Sequence, residues 1–118
     1  MEASMEATKQ GDLEACAHLC HECQDMCLKT LGHCLSMGGM HVGREHITQM
    51  LDCIAMCGLA HECLHRESGS SSLICRACSE ICRSCARGCE EVGRGDLKMR
   101  ECARMCQRCA QECASVAY

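Results

Sequence analysis

The sequence has no phenylalanine, no tryptophan and no proline, and its one tyrosine is the terminal Tyr118. A core anchored on large rings is therefore excluded. Lack of proline, together with few β-branched residues and abundant Ala, Leu, Met, Glu, Gln and Arg, removes the usual obstacles to helix and favours it throughout. No apolar run approaches the length of a membrane span. The 16 acidic and 12 basic residues, net −4, are spread along the chain without the basic cluster and stacking aromatics of a nucleic-acid surface, so no nucleic-acid and no membrane partner is expected. The opening MEASMEATKQGDLEA has no basic n-region, no apolar h-region and no twin-arginine pair, so nothing resembles an export signal and the expected location is cytoplasmic.

What the chain has instead is cysteine, 17 in 118 residues, far above ordinary usage. At this length one modest core is available, and cysteine must be part of what fills it. Such density means either a disulfide framework in a secreted protein or metal binding in a reducing compartment. A cytosolic location keeps thiols reduced, and an odd count fits poorly with complete pairing.

Glycine-rich breaks divide the chain. Gly38-Gly39, Gly69 within ESGSSS, and Gly93 with Gly95 leave four segments long enough for bundle helices, predicted at about 12–37, 43–66, 72–92 and 96–115. Asp96 and the serines at 70 to 72 are N-cap candidates for the last two. Short connections make successive helices antiparallel neighbours, so the expected fold is all-α, an up-down-up-down four-helix bundle forming a single domain over 1–118 with a cysteine-lined core.

Cysteine periodicity defines the inward faces. Residues spaced alternately by three and four lie along one stripe of a helix. The third helix supplies Cys75, Cys78, Cys82, Cys85 and Cys89, and the fourth Met99, Cys102, Cys106, Cys109 and Cys113. The first supplies Leu13, Cys16, Cys20, Cys23, Cys27, Thr30, Cys34 and Met37. The second is sparser, with His46, Met50, Cys53, Cys57, Ala60 and Leu64 in the seam and Cys63 at its flank. Its further stripe of Ile47, Leu51, Ile54 and Gly58 points either to packing against another subunit or to a broad core face.

A single CxxC is weak evidence, but interlocking CxxC and CxxxC pairs on four converging helices are strong. Cysteine as a plain small hydrophobe accounts for one or two positions, not for whole seams. Leu or Ile there would each bury apolar surface worth up to ~3 kcal/mol, so the thiol seams forgo stability that bound metal can restore. Neighbouring turns bring thiols close enough for disulfides, yet a helix does not readily supply their torsion. A thioredoxin-like mechanism needs a βαβ context and one distinctive thiol, and neither is visible.

Thiolates with thioether neighbours select Cu(I), zinc or iron–sulfur clusters. The loop motif of iron–sulfur proteins, with its terminal Cys-Pro, is absent. Zinc wants closed tetrahedral sites, and continuous rows do not divide naturally into tetrads. Cu(I) accepts two thiolates, and a thiolate can bridge two ions, so capacity approaches roughly one ion per cysteine. Each ion replaces about one thiol proton, leaving the filled core near neutral. At one end of the bundle His33, Cys34, Met37, Met40, His41, His46, Met50 and Met99 gather weaker neutral ligands that can receive an incoming ion. His18, His21 and His65 fall away from the seams and are read as surface residues.

The motifs CAHLCHECQDMC, CIAMC, CRACSEICRSCARGC and CARMCQRCAQEC closely resemble those of the bacterial copper storage proteins, over nearly the whole chain. The resemblance implies a four-helix bundle whose inward cysteines bind many Cu(I) ions, and assembly as a homotetramer. The missing twin-arginine signal resembles the cytosolic branch. Carried over by position, the thiolate role falls on every stripe cysteine, with Cys63 a departure because of its flank position. Non-enzymatic Cu(I) storage that buffers cytosolic copper is the function implied, with a copper chaperone or efflux protein as a further partner. A zinc-binding, metallothionein-like buffer and, behind it, a CxxC thiol redox protein are the alternatives.

Overall fold

The computed structural model describes residues 2–117, with side chains from residue 11 onward. Four α-helices carry the described chain: α1 (Glu2–Met37), α2 (Arg44–His65), α3 (Ser71–Val92) and α4 (Leu97–Val116), with a 3₁₀ turn at Gly39–Val42 between the first two. The first helix begins ten residues before the predicted start. Its leading EASMEATKQG offers no seam residue for periodicity to detect, yet Ala, Glu, Met, Lys and Gln are good helix formers and continue the helix.

Chain reversals follow local chemistry. At the first, Gly38 and Gly39 have φ of 70° and 56°, the left-handed region that only glycine visits freely. The α2–α3 reversal is not made by Gly69. Ser68 N–H donates to the Cys63 carbonyl at 2.9 Å and Glu67 N–H to that of Leu64 at 3.2 Å, a Schellman arrangement with Glu67 in the left-handed position at φ 54°. Ser70 takes the N-cap position of α3, but its side chain makes no capping bond. Asp96 caps α4 as expected, its carboxylate accepting from the backbone of Lys98 and Met99.

Each helix packs against its chain neighbours, and α1 closes the ring against α4. Opposed residues establish the directions. On α1 and α4, Cys16 meets Cys113, Cys27 meets Cys102, and Cys34 meets Met99, so one number rises as the other falls. The same inverse order joins α2 to α3, from Cys57–Cys78 to Met50–Cys89. The result is the antiparallel four-helix bundle, 54 Å along its longest axis.

The core is largely sulfur. All 17 cysteines are buried, and apart from Met50, Met99, Leu64 and Val116 the buried hydrophobics beside them are alanines. The two ends differ: Ala60, Leu64 and Val116 close one with hydrocarbon, while the other carries histidine, methionine and Asp96. Of the second stripe on α2, Ile47 and Ile54 pack against the core, and Gly58 leaves the space through which Gln24 donates to the Ile54 carbonyl at 3.1 Å. Leu51 stays 49% exposed, as do Leu28 and Leu35 of α1 at 50% and 62%.

A candidate metal centre in the bundle core

The three-four spacing brings each cysteine of a seam to the same interior line, and four such lines interlock. Cys20 and Cys113 are 3.5 Å apart, Cys27 and Cys106 3.6 Å, Cys57 and Cys82 3.6 Å, and Cys53 and Cys82 3.8 Å. These separations are too long for disulfides, and all the cysteines are free. Their sulfurs lie together in overlapping groups: Cys23, Cys27, Cys53 and Cys106; Cys23, Cys53, Cys57 and Cys82; Cys57, Cys78, Cys82 and Cys109; Cys20, Cys78, Cys109 and Cys113; Cys16, Cys75 and Cys113. Adjacent groups share members, so the ligands form a continuous column and not a set of separate tetrads. Cys102 joins it through Cys27, at 3.8 Å.

Neighbouring thiols divide the ionisation between them. The hydrogen bond with Cys102 pushes the Cys27 thiol above its ordinary value, whereas Cys102, hydrogen-bonded to Cys106 and Cys27, falls below. Burial opposes a column of bare thiolates, and a monovalent soft cation for each released proton removes that opposition.

Toward the polar end the column changes composition. Met50 Sδ accepts from Cys85 at 3.7 Å and from Cys89 at 3.6 Å. One layer further out, Cys34 Sγ lies 3.6 Å from Met99 Sδ and 3.4 Å from His46 Nε2. Burial pushes the Cys34 thiol up to about 11 and the His46 imidazole down, so both rest neutral. His46 Nδ1 is buried with no hydrogen-bond partner among the described residues, and His46 forms the inner wall of a cavity of about 330 Å³ that Met40, Gln49, Gly88 and Val92 also line. A thiol, a thioether and a neutral imidazole thus meet between an outer cavity and the sulfur column.

Part of the predicted end cluster does not join this layer. Met37 is 55% exposed, because α1 ends at this residue and its seam runs past the bundle, and Met40 on the 3₁₀ turn is 72% exposed. His33 and His41 turn to Asp96 instead of to sulfur, their Nε2 atoms lying 2.7 and 3.1 Å from Oδ2. The hydrogen bond from His33, reinforced by His41 and the Met99 backbone, holds the Asp96 carboxyl down at about 2. One oxygen, Oδ1, therefore caps α4 while the other ties α1 and the 3₁₀ turn to it. Nothing local to Asp96 signals this second task, since the residue reads as a complete N-cap by itself. At the hydrocarbon end Cys63 is buried but lies outside the column, with Arg66 Nη2 at 3.7 Å from its sulfur.

The sequence profile of the copper storage protein family matches residues 8–118. Among solved structures, a Nitrosospira multiformis protein is similar at 34% identity and a TM-score of 0.85, over 91% of this chain and 95% of that one. The Cu(I)-bound copper storage protein BsCsp3 superposes with a TM-score of 0.83 at 28% identity, over 91% and 99% of the two chains. Apo copper storage protein 3 from Bacillus subtilis gives 0.80 at 30%, over 89% and 98%. No curated protein sequence matches. A continuous column of free thiols, the four-helix bundle around it and a family profile spanning nearly the whole length lead to one assignment: the chain belongs to the copper storage protein family.

Proposed function

We propose that the protein stores many Cu(I) ions per chain along its cysteine column, buffering cytoplasmic copper, and that it does so without catalysing a reaction. The observation that carries this reading is the overlap of the thiol groups. Each interior sulfur has two or more sulfur neighbours at bonding-compatible spacing, which suits a linearly coordinated, thiolate-bridged monovalent ion and not isolated tetrahedral zinc. The ligands are Cys16, Cys20, Cys23, Cys27, Cys53, Cys57, Cys75, Cys78, Cys82, Cys102, Cys106, Cys109 and Cys113, extended at the polar end by Cys34, Cys85 and Cys89. Cys63 contributes least. The single bundle 1–118 acts as one domain.

Ions arrive at the polar end. Met40 and the cavity lead to His46, and His46, Cys34 and Met99 hold an ion more weakly than a thiolate pair before Met50, Cys85 and Cys89 draw it inward. His33 and His41, drawn to Asp96, frame the mouth, and Met37 lies outside it. The half-exposed Leu28, Leu35 and Leu51 support a homo-oligomer, a tetramer in this reading, and a copper chaperone or efflux protein would exchange ions at the mouth. No helix among the described residues is long and apolar enough to cross a membrane.

Anaerobic titration of the reduced protein with Cu(I) against a chromophoric chelator tests the proposal. Saturation near one ion per cysteine supports storage. Saturation at one to four sinks it and brings zinc or thiol redox chemistry forward.

A further inference from the structure

The seven histidines divide by what they touch. His18 pairs with Glu22 at 2.8 Å, His33 and His41 with Asp96, and His46 with Cys34. The remaining three lie together on the α1–α2 face, outside the sulfur column. The His21 and His61 ring centres are 4.9 Å apart, and those of His61 and His65 4.5 Å apart. We propose that His21, His61 and His65 form a surface site for one divalent ion of the zinc, nickel or Cu(II) class.

Helix geometry puts the ligands there. His61 and His65 stand four residues apart in HECLH, the spacing by which one helix turns two imidazoles to a single ion. Antiparallel packing brings His21 of α1 beside them, as the bond from His61 to Ala17 one turn earlier on α1 demonstrates. Imidazoles sharing a tetrahedral ion at about 2.0 Å per nitrogen have ring centres roughly 5 Å apart, close to the separations of the two ring pairs that His61 makes, and the exposed His21 and His65 rings have room to turn toward a common ion.

The central histidine is also held in the right tautomer. His61 Nδ1 lies 2.9 Å from the Ala17 carbonyl oxygen. A carbonyl only accepts, so Nδ1 carries the proton and Nε2 keeps its lone pair free, and a hydrogen bond of this kind on the far ring nitrogen orients metal-bound imidazoles. His21 and His65 make no hydrogen bond or ion pair among the described residues, so neither nitrogen of either ring is committed. Both are exposed and His61 is half-buried, so a hydrated ion reaches the cluster without passing the core. Glu62 extends toward Arg66, at 4.0 Å, and the spacing supplies ligands without a positioned general base. Three neutral nitrogens suit borderline divalent ions, while the thiol column selects soft monovalent ones, so the two sites take different cargoes.

Two measurements on tag-free protein test this. In the first, zinc is titrated into Cu(I)-filled protein while the histidine side-chain nitrogens are followed by NMR. The expected result is saturation at one zinc per chain with His21, His61 and His65 shifting together, a dissociation constant raised about tenfold or more in His65→Ala and His61→Ala, and no change in His18→Ala. In the second, protein with an empty core is passed over nickel held on iminodiacetate beads, whose ion cannot enter the bundle. Retention that disappears in His65→Ala supports the site whether or not the core accepts copper. His65 is exposed, so its loss tests the site even if His61→Ala folds poorly. Absence of retention, or His65→Ala binding zinc as tightly as the parent, overturns the proposal.

Discussion

Stepwise removal of the group Cys23, Cys53, Cys57 and Cys82 distinguishes a shared column from separate sites. In a column where each Cu(I) takes two thiolates and each thiolate serves two ions, ion number follows thiolate number, so every Cys→Ala change lowers capacity by about one and all four lower it by about four. Were the group an isolated tetrahedral site, Cys57→Ala alone would abolish its one ion, and the next three replacements would remove nothing more. Each replacement deletes one buried sulfur, on the order of 1 kcal/mol, so the quadruple variant loses about 4 kcal/mol, within the reserve of a small domain. Circular dichroism of each apo variant establishes that the helices persist, and anaerobic Cu(I) titration gives capacity. Proton release measured in the same titration should fall in parallel, by about one per cysteine removed. A total loss of one ion across the series, or collapse to none at the first step, refutes the reasoning.

At the mouth, His46→Ala and Met99→Leu should slow Cu(I) uptake from a chelate about tenfold in stopped-flow measurements while lowering final capacity by no more than about one ion, since both contribute neutral ligands outside the column. Asp96→Ala should cost about 1 kcal/mol in chemical denaturation through its N-cap bonds alone. The folded Asp96 carboxyl titrates at about 2 against an ordinary 3.8, so its contribution is complete above pH 3.8 and disappears as pH falls toward 2; Asp96→Asn should show a flatter stability profile across that window. Glu67→Gly should raise stability by about 1 kcal/mol, because a left-handed Glu pays a steric penalty that glycine does not, and unchanged or reduced stability on denaturation would contradict the turn assignment.

Core positions were legible because burial in a helix leaves a periodic trace. Cys75 to Cys89 and Cys102 to Cys113 occupy the interior that their three-four spacing specified, and Asp96 announced a helix start by residue type alone. What was hidden depended on contacts between residues distant in sequence. Nothing local distinguishes His33, which turns to Asp96, from His46, which turns to Cys34, and only the packing of α1 against α4 separates them. Met37 continues the α1 stripe in register, but a register does not reveal where the neighbouring helices stop. Gly69 looked like the α2–α3 turn, whereas Glu67 makes it, because a Schellman closure is defined by hydrogen bonds and tolerates a residue that local preference disfavours. His21 and His65 read as surface residues and His61 carried no signal of its own; the three become neighbours only when α1 and α2 are laid side by side.

The closeness of the sulfurs also determines how the protein ages. Cys20 with Cys113, and Cys57 with Cys82, sit 3.5 and 3.6 Å apart across different helices, a short movement from covalent joining. A two-electron oxidant that reached such a pair would take two protons and two electrons, stitch two helices together and retire two ligands at once. Wear in an idle protein should therefore come in even numbers. Copper seated between the same sulfurs occupies the electron pairs that oxidation would use, so the bundle is most vulnerable to peroxide when newly made and empty, and longest-lived when it is full.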